Sequence, residues 1–229
     1  MVYESIESYY LTDDELYVLL AGNGREKWYG FSQENNPEQI KRVDDIHKIL
    51  AGLYQKDAIR WKGEKAVLVE PFLSMVQALV RAKVCVNVKK IQEAHSLRSH
   101  YFYDNRVVFL ERSQRQEDTL RITQMNIEGW MDYIEEEGYF PDHIQGGESK
   151  EPYPGIGWER NSDVCAIEDA HSVFEKTDTD TGRVSERLFV KEQGLSSFLY
   201  LQMEGRWIRS VCKRSNWTEI LKKWVDQRK

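Results

Sequence analysis

The spacing of apolar residues changes period several times along the chain, and each change marks an element. The first helix signal is Leu11-Thr12-Asp13-Asp14-Glu15-Leu16. Thr12 stands as N-cap and Glu15 three residues on, so each side chain can bond the other's exposed backbone N–H in a capping box, with Leu11 and Leu16 as the apolar staple across it. Asp13 and Asp14 suit the positive end of the helix dipole. Gly22 and Gly24 are expected to end the helix through positive φ. Trp28-Tyr29-Gly30-Phe31 reads as a short strand. Asn36-Pro37 opens a second helix as cap and first turn, with Ile40, Val43, Ile46, Leu50 and Leu53 as its inward stripe. Residues 59–69 read as a hairpin turning at Lys62-Gly63. Residues 71–83 read as a third helix with Phe72, Met75, Val76, Leu79 and Val80 inward. Val84, Val86 and Val88 then alternate with Cys85, Asn87 and Lys89, the pattern of a half-buried strand.

Further on, 101–111 reads as a hairpin about Asp104-Asn105, 113–118 as a polar loop and 120–125 as another strand. Asn126 can cap a helix from Ile127 to about Glu137, with Trp130, Met131 and Ile134 on one face. Residues 138–162 hold three of the chain's five Pro together with several Gly, and read as a linker or long surface loop. Four strand candidates follow at 165–176, 184–191, 197–203 and 206–212. The short breaks between them favour an antiparallel meander. A last helix starts at Asn216 and buries Leu221, Trp224 and Val225. Two segments thus share one plan, a meander followed by a Trp-bearing helix. The expected fold is α+β: antiparallel meanders with packed helices in two quasi-symmetric halves, 1–137 and 163–229, joined by 138–162.

Composition narrows the class. With 229 residues the chain can bury a proper core, and 12% aromatic residues argue against disorder. No run approaches the roughly 20 apolar residues of a membrane span, and mean hydropathy is -0.64. Glu4 and Glu7 stand where a signal peptide would carry basic residues. Cys85, Cys165 and Cys212 are widely spaced and odd in number, which points to reduced thiols in the cytoplasm. The net charge of -6 is unevenly spread. Residues 1–127 are neutral, 128–178 carry a net -11 and 183–229 a net +6. Such segments can attract each other within the fold, face a partner, or simply be solvated.

No constellation with catalytic spacing emerges. His95 and His100 are five residues apart, which misses the spacing that puts two ligands on one helical face. His47, His143 and His171 read as structural or surface residues. Asp178-Thr179-Asp180-Thr181-Gly182 has the look of a calcium loop, but its Gly arrives one residue early and Phe189 occupies the position of the bidentate Glu. A hairpin turn is the expectation. Gly146-Gly147 and Gly155-Ile156-Gly157 lack the context of a phosphate cradle. Glu135-Glu136-Glu137 reads as a solvated helix end, and each Cys as a packed thiol. The helix and hairpin over 40–69 resemble a winged-helix arrangement, but they lie in the neutral 1–127 stretch and carry Asp44 and Asp45, so nucleic acid is not the expected partner; a regulatory DNA-binding protein using this module, or an enzyme with a dispersed site, is the alternative reading. No catalytic, cofactor or metal residue is nominated. Tyr139, Phe140, Tyr153 and Trp158 either contact a partner or pin the linker to the body, and the partner-binding residues stay open.

Read in order, the elements resemble the EspG-type chaperones of type VII (ESX) secretion. The resemblance lies in the helix start from Leu11 to Leu20, in Leu50-Ala51-Gly52-Leu53 with the hairpin after it, and in Ala66-Val67-Leu68-Val69 with the helix and Val strand that follow. It continues through Tyr103-Asp104-Asn105-Arg106-Val107-Val108-Phe109-Leu110, Leu120-Arg121-Ile122 and the Trp130 helix, and then the Asp180-Thr181-Gly182-Arg183 turn and the C-terminal helix. It implies a quasi-symmetric α+β fold without catalysis or cofactor. It also implies a cytoplasmic chaperone or adaptor that keeps a secreted helical hairpin, of WXG or LXG type, or its heterodimer, soluble and targeted for export. No stable membrane insertion is expected, and oligomeric state is left open.

Overall fold

The chain enters its sheet at once. β1 (Ser8–Thr12) runs directly into α1 (Asp13–Ala21), and the junction is the capping box: Glu15 N–H donates to Thr12 Oγ1 at 3.2 Å, and Thr12 N–H donates to Glu15 Oε2 at 2.7 Å. The computed structural model describes residues 8–25, 28, 43–93, 97–113, 119–141, 159–161 and 166–226. Next come α2 (Val43–Gln55), the strands β2 (Ile59–Lys62) and β3 (Lys65–Leu68), and α3 (Phe72–Arg81). A meander follows: β4 (Val84–Lys90), β5 (Arg98–Tyr103), β6 (Arg106–Arg112) and β7 (Thr119–Asn126), closed by α4 (Ile127–Glu136). After β8 (Glu159–Asn161) the plan recurs as β9 (Ser172–Asp178), β10 (Val184–Gln193), β11 (Ser196–Met203) and β12 (Arg206–Val211), closed by α5 (Arg214–Val225).

Among the described residues, ten strands form one antiparallel sheet in the order β1-β7-β6-β5-β4-β9-β10-β11-β12-β8, and β2 pairs only with β3. β4 and β9 meet at its centre, with Asn87 opposite Glu175 midway along the ladder. An approximate twofold through that point maps each meander on the other, each closing helix on the other, and edge strand β1 on β8. The protein is therefore α+β with two quasi-symmetric halves in one sheet. The halves also share a core: Trp130, Met131 and Ile134 of α4 and Trp217, Leu221 and Trp224 of α5 lie on one face, over Val86, Val88, Phe102, Phe174, Leu188 and Leu199. Trp224 Nε1–H donates to Glu186 Oε2 at 2.8 Å, satisfying the indole as it packs.

The opposite face breaks the symmetry. Over the first half, α1 and α3 pack their Leu16, Leu20, Phe72, Met75 and Leu79 on Cys85, Tyr101, Val108, Leu110 and Ile122, with Leu53 of α2 in the same cluster. Over the second half, the cluster on that face is Ala170, Val173, Phe189 and Tyr200, joined by Phe198 and Trp207, and no described α-helix contributes to it. Arg209 lies on these rings, 3.8 Å from the centre of Phe198.

The structure revises several local expectations. Gly22 caps α1 with φ -62, and only Gly24 takes positive φ, at +88. β4 is buried on both sides at Cys85, Val86, Asn87 and Val88, because helices cover both faces of the sheet centre. Residues 167–169 form a 3-10 turn where a strand beginning at Cys165 was expected, and β9 starts at Ser172. α5 starts at Arg214; Asn216 instead donates from Nδ2 to Ser210 Oγ at 2.8 Å and Val211 O at 3.0 Å. The expected strand at 28–31, apart from Trp28, the start of the second helix at Asn36 and most of the 113–118 loop lie outside the described residues.

Candidate partner-binding surface

α2 ends in a tight motif that aims the chain outward. Ala58 N–H donates to Leu53 O at 2.9 Å and Asp57 N–H to Tyr54 O at 3.0 Å, with Asp57 at φ +55. This is the paired bonding of a left-handed helix C-terminus, locked by the buried pair Leu53 and Ala58. Gly52 lets α2 approach α1 closely: a Cβ there would lie 2.8 Å from Glu15 Oε1. Glu15 is itself held by Thr12 and by Lys56, whose Nζ is 2.5 Å from Oε2.

From this base β2 and β3 project as a two-stranded hairpin, with every residue from Arg60 to Val67 exposed. The register pairs Ile59 with Leu68, Arg60 with Val67, Trp61 with Ala66 and Lys62 with Lys65. Side chains alternate along a strand, so Ile59, Trp61, Ala66 and Leu68 share one face, while Arg60, Lys62, Lys65 and Val67 share the other. Ile59 is buried and Leu68 packs against the first-half core, so the apolar face emerges from that core and continues to Trp61, which is 49% exposed. Ile46 and Tyr54 of α2 are exposed apolar residues of the same segment. The neutral bulk charge of 1–127 conceals the two faces of this hairpin. The alternation of Ile59-x-Trp61 and Ala66-x-Leu68 with three basic residues is the signal that would have shown its two faces.

The remaining candidates resolve into structure. Asp178 Oδ1 accepts from the backbone N–H of Asp180 (3.1 Å) and Thr181 (2.7 Å) and from Thr181 Oγ1 (2.7 Å), and these bonds from Thr181 lower its carboxyl pKa. The calcium-like segment is thus the hairpin turn between β9 and β10. Tyr139 and Phe140 are buried: Phe140 stacks on Trp217 at 4.3 Å and on Phe174 at 5.2 Å, so both pin the start of the 138–162 segment to the body. Tyr153 and Trp158 lie outside the described residues, as do His95, His143 and Cys165.

Arg98 organises the edge of the shared core. It donates to Glu111 Oε2 (2.6 Å), Glu137 Oε2 (2.7 Å) and Tyr139 Oη (2.9 Å), and Glu111 also pairs with Arg121. Burial pushes the Tyr139 hydroxyl up to about 12, against the pull of Arg98. His100 is fully buried among Phe109, Trp130 and Tyr133, with Nδ1–H donating to Val86 O at 3.1 Å. Burial lowers its pKa to about 3, so its neutral ring is a core residue. His47 is exposed on α2, and His171 Nε2 lies 2.9 Å from Gly138 O. Cys85 and Cys212 are buried thiols; burial raises both, Cys212 to about 12. Among the described residues no three His, Cys, Asp or Glu gather as a metal site, and no helix is long and apolar enough to cross a membrane.

No family model matches the chain. No curated protein matches it. Among solved structures, it is similar to the type VII secretion system chaperone EspG5 of Mycobacterium tuberculosis, determined in complex with a PE25–PPE41 dimer. The two share 10% sequence identity over 94% of this chain and 96% of that one, with a TM-score of 0.45.

Proposed function

We propose that this chain is a cytoplasmic chaperone or adaptor, and not an enzyme, that holds a secreted helical-hairpin protein of WXG or LXG type, or its heterodimer, soluble until export by a type VII system. The observation that carries the reading is the quasi-twofold sheet, in which each meander ends in a Trp-bearing helix. That is the arrangement implied by the order of the capping box, hairpins and Trp helices in the sequence. The asymmetric helical cover supports it further: among the described residues, helices pack on this face of the first half alone, and the projecting hairpin with its exposed apolar residues belongs to that half. Exposed apolar side chains rimmed by charge suit a protein partner.

Co-expression with the helical-hairpin proteins encoded beside it is expected to yield a stoichiometric complex by size-exclusion chromatography and to raise the partner's soluble fraction. If no neighbour co-purifies and none becomes more soluble, the proposal fails.

A further inference from the structure

We infer that the β2–β3 hairpin is a docking element for an amphipathic helix whose apolar stripe is flanked by carboxylates. The inference rests on the chaperone reading and specifies the chemistry of the partner segment. Lys62 and Lys65 stand directly opposite each other in the ladder, an arrangement that costs stability through like-charge repulsion. Neither they nor Arg60 has an ion-pair partner among the described residues. Glu64, in the turn, is the hairpin's single acidic residue.

The three cations stand on one face, and Trp61 with Ala66 on the other, of a ribbon two strands wide. A single helix lying along that ribbon can therefore press apolar side chains on Trp61 while carboxylates on its flank reach round the edge to Lys62 and Lys65. Such a partner would remove apolar area from water and supply the missing counter-charge together. A two-stranded hairpin is marginal on its own, and this one is secured at its base by Ile59, by Leu68 and by Val69 N–H donating to Ala58 O at 3.1 Å. It is thus presented ready-formed, so binding costs little ordering entropy. Three cations on a chain of net charge -6 make a weak match for a nucleic-acid backbone, which requires many phosphate contacts.

The test uses the full chain and a fluorescently labelled helical peptide of about 20 residues, with Leu at i, i+3, i+4 and i+7 and Glu on the flanking positions, read by anisotropy. A peptide with Lys in place of Glu is the control. The acidic peptide is expected to bind about tenfold tighter than the basic one at low salt, and several-fold more weakly at 300 mM salt. Trp61→Ala should weaken it about tenfold. The double variant Lys62→Glu/Lys65→Glu, at two exposed positions, should reverse the preference to the basic peptide with the circular dichroism spectrum unchanged. Equal binding of both peptides, binding of neither, indifference to the double variant, tighter binding of a single-stranded 20-mer DNA, or self-association of the chain through the hairpin would each overturn the inference. If the co-expressed complex forms but ignores the double variant, the hairpin assignment falls and the chaperone reading stands. If the peptide responses appear but no secreted neighbour is held, the chaperone reading falls alone.

Discussion

Acidification should destabilise this protein through one identifiable residue. His100 sits at 0% exposure against Phe109, Trp130 and Tyr133, its Nδ1–H bonded to Val86 O and its Nε2 without a partner among the described residues. Burial, with the charge of Arg98 as a lesser cause, lowers its pKa from 6.5 to about 3. Between those values the unfolded chain binds a proton at this site and the folded chain does not. The contribution of His100 is therefore fully present above pH 6.5 and is lost as pH falls, at about 1.4 kcal/mol per pH unit. From pH 7 to pH 5 the loss is about 2 kcal/mol. Carboxylates titrate over part of the same range, so the measurement is a difference between two proteins. Urea unfolding of the wild type and of His100→Phe at pH 7, 6 and 5 yields each protein's own pH dependence. The variant forfeits the Val86 bond equally at every pH, and that cost cancels. Wild type should lose about 2 kcal/mol more than the variant between pH 7 and pH 5. Parallel curves would refute the assignment of His100 as a neutral buried ring.

Gly52→Ala places a Cβ 2.8 Å from Glu15 Oε1; because Thr12 and Lys56 restrain that carboxylate, a loss of about 1–2 kcal/mol is expected by urea unfolding, and an unchanged midpoint would show the Glu15 side chain to be free to move. Arg98→Met leaves Glu137 and Tyr139 without their shared donor and Glu111 with Arg121 alone, and unfolding should show a loss of about 2–3 kcal/mol, below that of a fully buried broken pair because Arg121 still pairs with Glu111 and Glu137 is partly exposed. Glu204 and Gly205 take φ +47 and +75 in the two-residue turn between β11 and β12. Replacing Glu204 by Asn, which tolerates that conformation better, should raise stability by about 0.5–1 kcal/mol, measured as a higher urea midpoint.

Elements whose cause lies within a few residues were legible before any fold was known. The Thr12–Glu15 capping box and the Asn126 cap, whose Oδ1 accepts from Gly129 N–H at 2.7 Å, need only local partners. Alternation and turn chemistry likewise located the β5–β6 hairpin and the last three strands of the second meander, and with them the two related halves. The position of a strand in the sheet is another matter. β4 reads as half-buried because its apolar Val residues alternate, yet it lies at the centre of ten strands with helices on both faces, and Asn87 is satisfied there by bonding Thr177 Oγ1 at 3.2 Å across the join. β8 is three residues long and finds its register only against β12, so no local period announces it.

Tyr139 and Phe140 could have faced solvent or core. Their burial depends on Trp217 and Phe174, dozens of residues away in sequence. The candidate docking surface divides in the same way. Local sequence determines the hairpin, expected over 59–69 and found as Ile59–Lys62 paired with Lys65–Leu68, and the alternation along its strands sets an apolar and a basic face. Only the tertiary structure decided that this ribbon stands apart from the main sheet with Trp61 uncovered, because exposure depends on which long-range contacts the rest of the chain leaves unmade.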